Sequence, residues 1–347
     1  MSTSSAHRAL LGRLAGGSSL TLDETADAVD GIMSGLWSEG EIALFLTALA
    51  EKGETVEEVA GAATAMRRHM RRIQTSRVGI VDTCGTGGVG SSIFNVSTTA
   101  ALVIAAAGVP VAKHGNRKVT SRSGSADVLA ELGVNVQASL ETVEACLEEL
   151  GICFCFAPLM HSAMKHVAPV RQKLGIRTIF NLLGPLSNPA GAPFQLLGVG
   201  RRELMPLLAG ALALLETERT ALVCGADGLG EVTVFDRTHV LEVSRGTAAG
   251  HRQTEHVWKP DDFGLTTASS SDPITVDSAA ASAAIVRDVL AGKPGTARDI
   301  VVANAAAALW VCGKCDSLSV AAQTAAATID GGAPRELLAR LVERTNR

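Results

Sequence analysis

Residues 81–99 read VDTCGTGGVGSSIFNVSTT. Just before and within this stretch, Val78, Ile80 and Val81 predict a short buried strand, and the Ala-rich run that follows predicts a helix with Ser97 or Thr98 as its N-cap. Four glycines lie between these two elements. Glycines let backbone N–H groups approach a ligand, and a helix N-terminus adds positive potential. The stretch therefore predicts an anion-binding loop at the end of a strand.

Two common phosphate motifs fit this loop only in part. Gly85, Gly87 and Gly90 match the dinucleotide fingerprint, but residues 108–113 lack the acid that would hold a ribose. The glycine spacing also fits a P-loop, yet Ser91 stands where the lysine of that motif is required. A structural glycine turn without a ligand is the alternative that the loop alone leaves open.

A second polar cluster, Lys-His-Gly-Asn-Arg, occupies residues 113–117 at the end of the next predicted strand. Open α/β sheets bind ligands at the carboxyl ends of their strands. We therefore expect the two cations of this cluster, Lys113 and Arg117, to lie beside the glycine loop.

The loop and this cluster belong to a series of motifs that runs through the chain in order. The series is DTCGTGG at 82–88, NVST at 95–98, KHGNR at 113–117, SGSAD at 123–127 and RQKLGIRTIFNLLGPLSNP at 171–189. It closely resembles the anthranilate phosphoribosyltransferase family over nearly the full length. The resemblance implies an α/β fold: a small all-helical domain plus a large domain with a mainly parallel sheet and helices on both faces, as in the nucleoside phosphorylase/phosphoribosyltransferase fold.

The predicted elements agree with that architecture. The first seventy residues predict four helices, three of which begin with capping boxes at Thr21, Ser38 and Thr55. From residue 78 onward strands and helices alternate, which indicates a mainly parallel sheet. The strands are predicted at 78–83, 109–113, 134–137, 152–156, 194–199 and 220–225. Residues 231–260 predict an antiparallel or irregular edge, with extended segments at 231–235 and 240–243.

The run 157–184 interrupts the alternation with helices only. The resemblance places this run against the N-terminal helices, so we expect a discontinuous small domain. Its predicted parts are residues 1–74 and about 158–190. Residues 75–157 and 191–347 would form the α/β domain that binds phosphoribosyl pyrophosphate.

Composition excludes several other classes. The chain has 347 residues, a net charge of −4 and no apolar run of membrane-spanning length or secretory signal. Its seven cysteines are scattered through apolar segments, which favours a cytoplasmic protein. Cys312 and Cys315 have redox-like or metal-like spacing, but no second pair completes a zinc site. The basic cluster at 67–72 is interpreted as a solvated helix end rather than a nucleic-acid site.

The resemblance implies two catalytic residues, Lys113 for the leaving pyrophosphate and Arg171 for the acceptor carboxylate. The phosphoribosyl pyrophosphate site would consist of Gly85, Gly88, Val89, Asn95, Ser97, Thr98, Lys113, Asn116, Arg117, Ser121 and Ser125. The anthranilate site would consist of Gly85, His114, Asn116, Pro158, His161 and Arg171. An arginine fork suits a benzoate carboxylate because both groups are planar and bidentate.

The resemblance also implies Mg²⁺ held by Ser97 and Glu231, since pyrophosphate leaving groups usually carry this ion. Three positions depart from the family pattern. Gly230 stands where the family has an Asp before the Glu that corresponds to Glu231. Val89 replaces the acid of the family's glycine loop, and Ile93 replaces a residue that usually carries a hydroxyl. Asp227 would substitute in part if its loop turns inward.

The implied reaction transfers the 5-phosphoribosyl group from phosphoribosyl pyrophosphate to the amine of anthranilate in tryptophan biosynthesis. The implied assembly is a homodimer through the helical domain, with no nucleic-acid or membrane partner. The three departures leave open a related enzyme with another aromatic acceptor. The 67–72 cluster leaves open a non-catalytic, nucleic-acid-binding relative.

Overall fold

The computed structural model describes residues 3–87, 93–117, 124–246 and 250–347. The chain begins with the four expected helices, α1 (Thr3–Ala15), α2 (Leu22–Met33), α3 (Glu39–Lys52) and α4 (Val56–His69). No described helix is long and apolar enough to cross a membrane.

All three predicted capping boxes are present at the starts of α2, α3 and α4. The box at α4 also does more than its local pattern indicates. Glu58 accepts the backbone N–H of Thr55 at 2.8 Å, and its buried carboxylate further accepts the Leu20 N–H and the Lys52 ammonium. One carboxylate thereby ties the starts of two helices together.

The following part of the chain builds a seven-stranded sheet in the order β3-β2-β1-β4-β5-β6-β7. Its strands are β1 (Val81–Gly85), β2 (Val111–Gly115), β3 (Ile152–Phe156), β4 (Phe194–Gly198), β5 (Arg219–Gly225), β6 (Thr238–Arg245) and β7 (His251–Trp258). The first five strands are parallel, and β6 and β7 form an antiparallel edge. The expectation of a mainly parallel sheet beside a small helical domain is confirmed.

Helices flank the sheet and fill the remaining chain. They are α5 (Val96–Ala106), α6 (Ser125–Glu131), α7 (Leu140–Leu150), α8 (Ala157–Met160), α9 (Ala168–Leu174), α10 (Phe180–Leu183), α11 (Met205–Leu214), α12 (Ala279–Leu290), α13 (Thr296–Val311), α14 (Leu318–Asp330) and α15 (Ala333–Thr345). Alternate residues of β4 enter different cores, because successive strand side chains point to opposite faces. Leu196 joins the core around α5 and α13, and Leu197 joins the core shared by α2, α4 and α11.

The predicted strand at 134–137 is wrong, and within the predicted antiparallel or irregular edge the segment 231–235 is irregular, whereas 240–243 lies in the antiparallel strand β6. Residues 134–137 form a turn: the Asn135 N–H donates to the Thr345 hydroxyl, and the Asn135 side-chain oxygen accepts the Gln137 N–H. Residues 231–235 stay outside the sheet because both backbone groups of Val232 bond to the buried side chain of Asn304 in α13. The apolar side chains of both segments are buried, but helices rather than neighbouring strands cover them.

The start of α5 also differs from the prediction. Asn95, and not Ser97 or Thr98, is the N-cap, and its side-chain oxygen accepts the Thr98 N–H at 3.2 Å. Ser97 therefore lies in the first turn of the helix, where its hydroxyl is available for other contacts.

Candidate active site

The strand connections reverse direction between β1 and β4, and this reversal creates a crevice at their carboxyl ends. Gly85 and Gly198 pair there, and the Thr86 N–H donates to the Gly198 oxygen at 2.9 Å. A Cβ on Gly198 would lie 2.0 Å from the oxygen of Gly230. Three chain segments therefore meet at a distance that only glycine permits. The predicted site did not include Gly198. A glycine at the end of a predicted strand was the feature of the sequence that could have indicated it.

Lys113 extends from β2 to β1 and to the first turn of α5. Its ammonium donates to the Thr83 oxygen and, at 3.1 Å, to the Ser97 hydroxyl, and the side chain is 3% exposed. Burial lowers the pKa of Lys113, and the nearby carboxylates of Asp82 and Glu231 oppose that shift. The structure thus holds a cation at the helix N-terminus, beside the glycine loop.

Asp82 is a buried carboxylate that the sequence reasoning did not assign to the site. One of its oxygens accepts the His114 N–H at 3.1 Å, and the other has no hydrogen-bond partner among the described residues. An ionisable residue inside an otherwise apolar strand was the signal that could have found it. Asp82 lies near enough to Lys113 to oppose the effect of burial on the Lys113 pKa, and it holds the backbone of the neighbouring strand.

The helix end offers a further polar group. The Thr98 hydroxyl is buried and has no partner in the described part of the chain, while Ser97 is already engaged by Lys113. Asn95 serves the helix as its cap. A hydroxyl without a partner at a helix N-terminus is a ready donor to an anion.

The turn after β2 contains the next predicted residues. The Asn116 backbone oxygen accepts the Ser125 hydroxyl at 3.4 Å, and its side chain accepts the Arg117 N–H. Arg117 pairs with Asp127 at 3.4 Å and lies over the Phe156 ring. Three predicted phosphate residues, Gly88, Val89 and Ser121, lie outside the described residues.

The predicted acceptor residues His114 and His161 form a buried pair with their Nε2 atoms 3.2 Å apart. His114 Nδ1 lies 2.9 Å from the Gly184 oxygen and must donate to it, so its Nε2 accepts a hydrogen bond from His161. Burial lowers the pKa of His114, and burial together with His114 lowers the pKa of His161 to about 3. The pair is therefore neutral at neutral pH. Pro158 precedes it in α8, directly after β3.

Arg171 lies on α9 and contacts neither histidine through a hydrogen bond among the described groups. Its guanidinium donates to the Asn181 side chain at 3.2 Å and lies over the Phe180 ring. Burial lowers the pKa of Arg171, and the described residues provide no carboxylate partner. A partly buried guanidinium in these surroundings is suited to an incoming carboxylate.

The carboxylate expected at a metal site is Glu231. Burial raises its pKa to about 7, and Lys113 opposes the shift. Asp227 does not turn inward, because it accepts the Thr233 hydroxyl and the Leu229 N–H within its own loop. The described residues contain no group of three or more acidic, His or Cys side chains that could hold a metal ion by themselves.

This donor set still fits Mg²⁺ that arrives with its substrate. The ion prefers oxygen ligands, keeps several waters, and is usually bound by one or two carboxylates together with substrate phosphates. Glu231 provides such a carboxylate and Ser97 a hydroxyl. Ile93, one of the family departures, packs against the sheet-domain core and bridges to Thr275.

Fold and site together define a glycosyl transferase built from a helical bundle and an α/β domain. Residues 8–70 match the glycosyl transferase family, helical bundle domain, and residues 77–335 match the glycosyl transferase family, a/b domain.

Full-length relatives narrow this class. The chain is 50% identical over 329 residues to an anthranilate phosphoribosyltransferase of Anaeromyxobacter sp. (strain K), covering 95% of this chain and 96% of that protein. It is 46% identical over 328 residues to one from Rhodopirellula baltica, with 94% of each chain covered. The chain belongs to the anthranilate phosphoribosyltransferase family.

Solved structures of the same family have the same fold as this chain. The anthranilate phosphoribosyltransferase of Thermus thermophilus superposes with a TM-score of 0.88 at 37% identity, covering 97% of this chain and 99% of that one. The Saccharomyces cerevisiae enzyme, in complex with PRPP (phosphoribosyl pyrophosphate) and Mg, also superposes with a TM-score of 0.88, at 28% identity, covering 99% and 98% of the two chains.

Proposed function

We propose that this protein transfers the 5-phosphoribosyl group of phosphoribosyl pyrophosphate to the amine of anthranilate and releases pyrophosphate, as a step of tryptophan biosynthesis. The observation that carries the proposal is the buried ammonium of Lys113, which is held against Ser97 at the start of α5 beside the crevice of the sheet. A chain of this family with that cation in place has the central group needed to stabilise a leaving pyrophosphate.

The reaction breaks the bond between the anomeric carbon and a pyrophosphate oxygen, and the electron pair leaves with the pyrophosphate. The amine nitrogen forms the new bond to that carbon and then loses a proton. Such a displacement requires orientation and stabilisation of leaving-group charge more than a strong base. Lys113 supports this role because an arriving anion favours its ammonium form and offsets the effect of burial on its pKa.

The phosphates of the donor would lie over the glycine loop and the N-terminus of α5, where the Thr98 hydroxyl lacks a partner among the described residues. We assign the donor site to Gly85, Gly88, Val89, Asn95, Ser97, Thr98, Lys113, Asn116, Arg117, Ser121 and Ser125. Asn95 acts in this site as the cap that sets the position of α5, and Arg117 as an exposed cation at its edge.

We assign the acceptor site to Gly85, His114, Asn116, Pro158, His161 and Arg171. Arg171 would bind the carboxylate of anthranilate, because its guanidinium is partly buried and carries no carboxylate partner in the described chain. The histidine pair would form a neutral wall: each ring is buried, and the His161 Nδ1 atom has no hydrogen-bond partner among the described groups.

Glu231 and Ser97 would hold Mg²⁺ when it enters with the donor, and the ion would then offset the negative charge of the pyrophosphate. The number of carboxylates is smaller than in the family pattern because Gly230 replaces an acid. A Mg²⁺ titration of activity tests the assignment. Glu231→Gln should raise the Mg²⁺ concentration needed for half-maximal turnover, and Asp227→Asn should not, because Asp227 is committed to its own loop. Equal responses of the two variants would refute the role of Glu231.

The reaction itself is tested by the loss of anthranilate fluorescence in the presence of phosphoribosyl pyrophosphate, with Mg²⁺ varied. Turnover that saturates with both substrates is the expected result. Absence of turnover in folded protein that binds the donor would refute anthranilate as the acceptor.

A second acceptor class is favoured by the departures from the family pattern at Val89, Ile93 and Gly230. A panel of substituted anilines and benzoates, assayed for pyrophosphate release, separates the two alternatives. Anthranilate should give the highest kcat/KM of the panel. DNA binding that weakens with salt would favour the third, nucleic-acid alternative.

We further propose a discontinuous helical domain, a homodimer through that domain and a cytoplasmic location. The shared core of α2–α4 with Val167, Val170 and residues 179–186 supports the first inference. Three exposed apolar side chains of the proposed helical domain support the second: Leu44 on α3 is 62% exposed, Leu36 between α2 and α3 is 67% exposed, and Ile176 after α9 is 46% exposed. Light scattering should give the mass of a dimer, and Leu44→Asp should shift it toward the monomer. A monomer at micromolar concentration would contradict the assembly.

A further inference from the structure

A cavity of about 560 Å³ lies at the amino ends of the parallel strands, opposite the crevice at their carboxyl ends. It is bounded by segments that precede the strands: residues 70–74 before β1, 188–193 before β4 and 215–218 before β5. These are the amino ends of three parallel strands, whereas Gly85 and Gly198 lie at the carboxyl ends. The cavity is therefore separate from the donor and acceptor sites.

Arg67 on α4 is the most deeply placed charge that lines this cavity. The expectation of a solvated basic helix end is wrong for this residue, because its guanidinium turns inward. It donates to the Leu186 oxygen at 2.7 Å and to the Leu215 oxygen at 3.4 Å. Both acceptors are neutral carbonyls, and Arg67 has no carboxylate partner in the described chain. The carbonyl end of α11 gives it only a partial negative charge.

The other charges around the cavity leave Arg67 without compensation. Arg245 at the rim lies 3.8 Å from Glu216 and 3.6 Å from Glu218, so these two acids are matched to an exposed arginine. Arg72 also lines the cavity, and its positive charge adds to burial in lowering the pKa of Arg67. The guanidiniums of Arg67 and Arg72 disfavour each other unless an anion lies between them. Among the described lining residues, the three arginines and two glutamates leave one net positive charge.

The remaining wall is mixed: Ile73, Leu212 and Leu215 form its apolar part, beside polar side chains and backbone groups. Two of the polar side chains in this wall already have partners: Asn188 bonds to Ala112 and Ala190, and Gln195 bonds to the Pro185 oxygen. The volume lies within the roughly 300–1,000 Å³ of small-molecule sites. We propose that this cavity binds a small organic monocarboxylate, with the carboxylate on Arg67 and an apolar body against Ile73 and Leu215.

The charge balance favours a monocarboxylate over a phosphate dianion, since one negative charge neutralises the cavity. The planar guanidinium of Arg67 also matches a carboxylate in two parallel hydrogen bonds. An apolar body fits the part of the wall that Ile73, Leu212 and Leu215 form.

Titration calorimetry on the full chain, with sodium hexanoate as the probe and hexanamide as the neutral control, tests the proposal. We expect hexanoate to bind at one site and hexanamide at least tenfold more weakly. Arg67→Met should weaken hexanoate binding at least tenfold, and Arg171→Met should leave it unchanged. Ala192→Leu, which keeps Arg67 but fills part of the cavity, should weaken binding severalfold.

Each alternative outcome overturns the proposal. Binding that survives Arg67→Met and disappears in Arg171→Met would place the probe in the acceptor site. Equal binding of hexanamide would remove the role of charge, and equal competition by inorganic phosphate would refute the carboxylate class. If the Arg67→Met variant does not fold, the Arg67→Lys and Ala192→Leu variants test the site instead, and undiminished binding in both would refute it. An absence of hexanoate binding to the natural chain would also refute the site.

Discussion

Each end of the parallel strands contains a cation withdrawn from water, and the two charges are compensated differently. Lys113 is buried and Arg67 is half-buried. Lys113 at the carboxyl edge donates to two protein oxygens and lies near the carboxylates of Asp82 and Glu231. Arg67 at the amino edge donates to two neutral carbonyls and has no carboxylate partner among the described residues. Burial lowers the pKa of both.

The difference indicates two kinds of anion site. Around Lys113 the compensating charges are part of the fold, so the cation is already placed for the role that we propose, because stabilisation of transition-state charge requires preorganised groups. Around Arg67 we propose that a ligand provides the compensation. Four predictions test this contrast, in order of decreasing expected effect.

Lys113→Met should lower kcat/KM by about 10²–10³, the usual effect of removing one group that stabilises transition-state charge. The loss of anthranilate fluorescence measures it, and circular dichroism checks folding. Lys293→Met is the matched control, because Lys293 pairs with Asp288 on the surface and lies 67% exposed. A loss of less than threefold in Lys113→Met would break the contrast between the two edges.

Gly198→Ala should destabilise the protein by about 1–3 kcal/mol, because the added Cβ meets the Gly230 oxygen and the backbone must move. Urea unfolding measures the change, and turnover should fall with it because the crevice loses its shape. Gly40→Ala provides the control, since a Cβ there has no atom within 4 Å. Equal stability of both variants would show that the segments at the crevice are not closely packed.

Arg171→Lys should raise the KM for anthranilate by about 10–100-fold, since a charged hydrogen bond contributes about 1.5–3 kcal/mol. The KM for phosphoribosyl pyrophosphate should stay unchanged. Arg67→Lys sharpens the comparison because it makes the same change at the other edge, and it should leave both values unaltered. A rise in the KM for anthranilate in Arg67→Lys would connect the two edges.

Glu231→Gln should become more stable relative to the natural chain as pH rises from about 4.5 to about 7. The unfolded carboxyl releases its proton near 4.5, whereas burial holds the folded pKa at about 7. The unfolded state therefore binds fewer protons in this window, and the free energy of unfolding of the natural chain falls by at most about 1.4 kcal/mol per pH unit. Urea unfolding without Mg²⁺ at several pH values measures it. A difference that does not change with pH would contradict the burial of this carboxyl group.

The parts of the fold that follow local rules could be predicted from the sequence. The capping boxes at Thr21, Ser38 and Thr55 join groups three residues apart, so their patterns predict their contacts. The switch from helices to alternating strands and helices likewise predicted a mainly parallel sheet, and the series of motifs predicted the family.

Other features needed distant partners and could not be predicted. Residues 134–137 look like a strand, but Thr345 binds them from the far end of the chain. Val232 lies outside the sheet because Asn304 occupies both of its backbone groups. Asp82 could be recognised as part of the candidate site only from its contact with His114 on the neighbouring strand.

The sequence by itself determined the class of fold and the family, and it predicted Lys113 and Arg171 as candidate site residues. Only the tertiary structure decided what each of these charged side chains contacts: Glu231 lies near Lys113, Asp227 is held by its own loop, and Arg67 turns into a cavity. The physical reason is range. Local hydrogen bonds are encoded within a few residues, whereas the burial and compensation of a charge depend on segments that lie far apart in the chain and meet only when it folds.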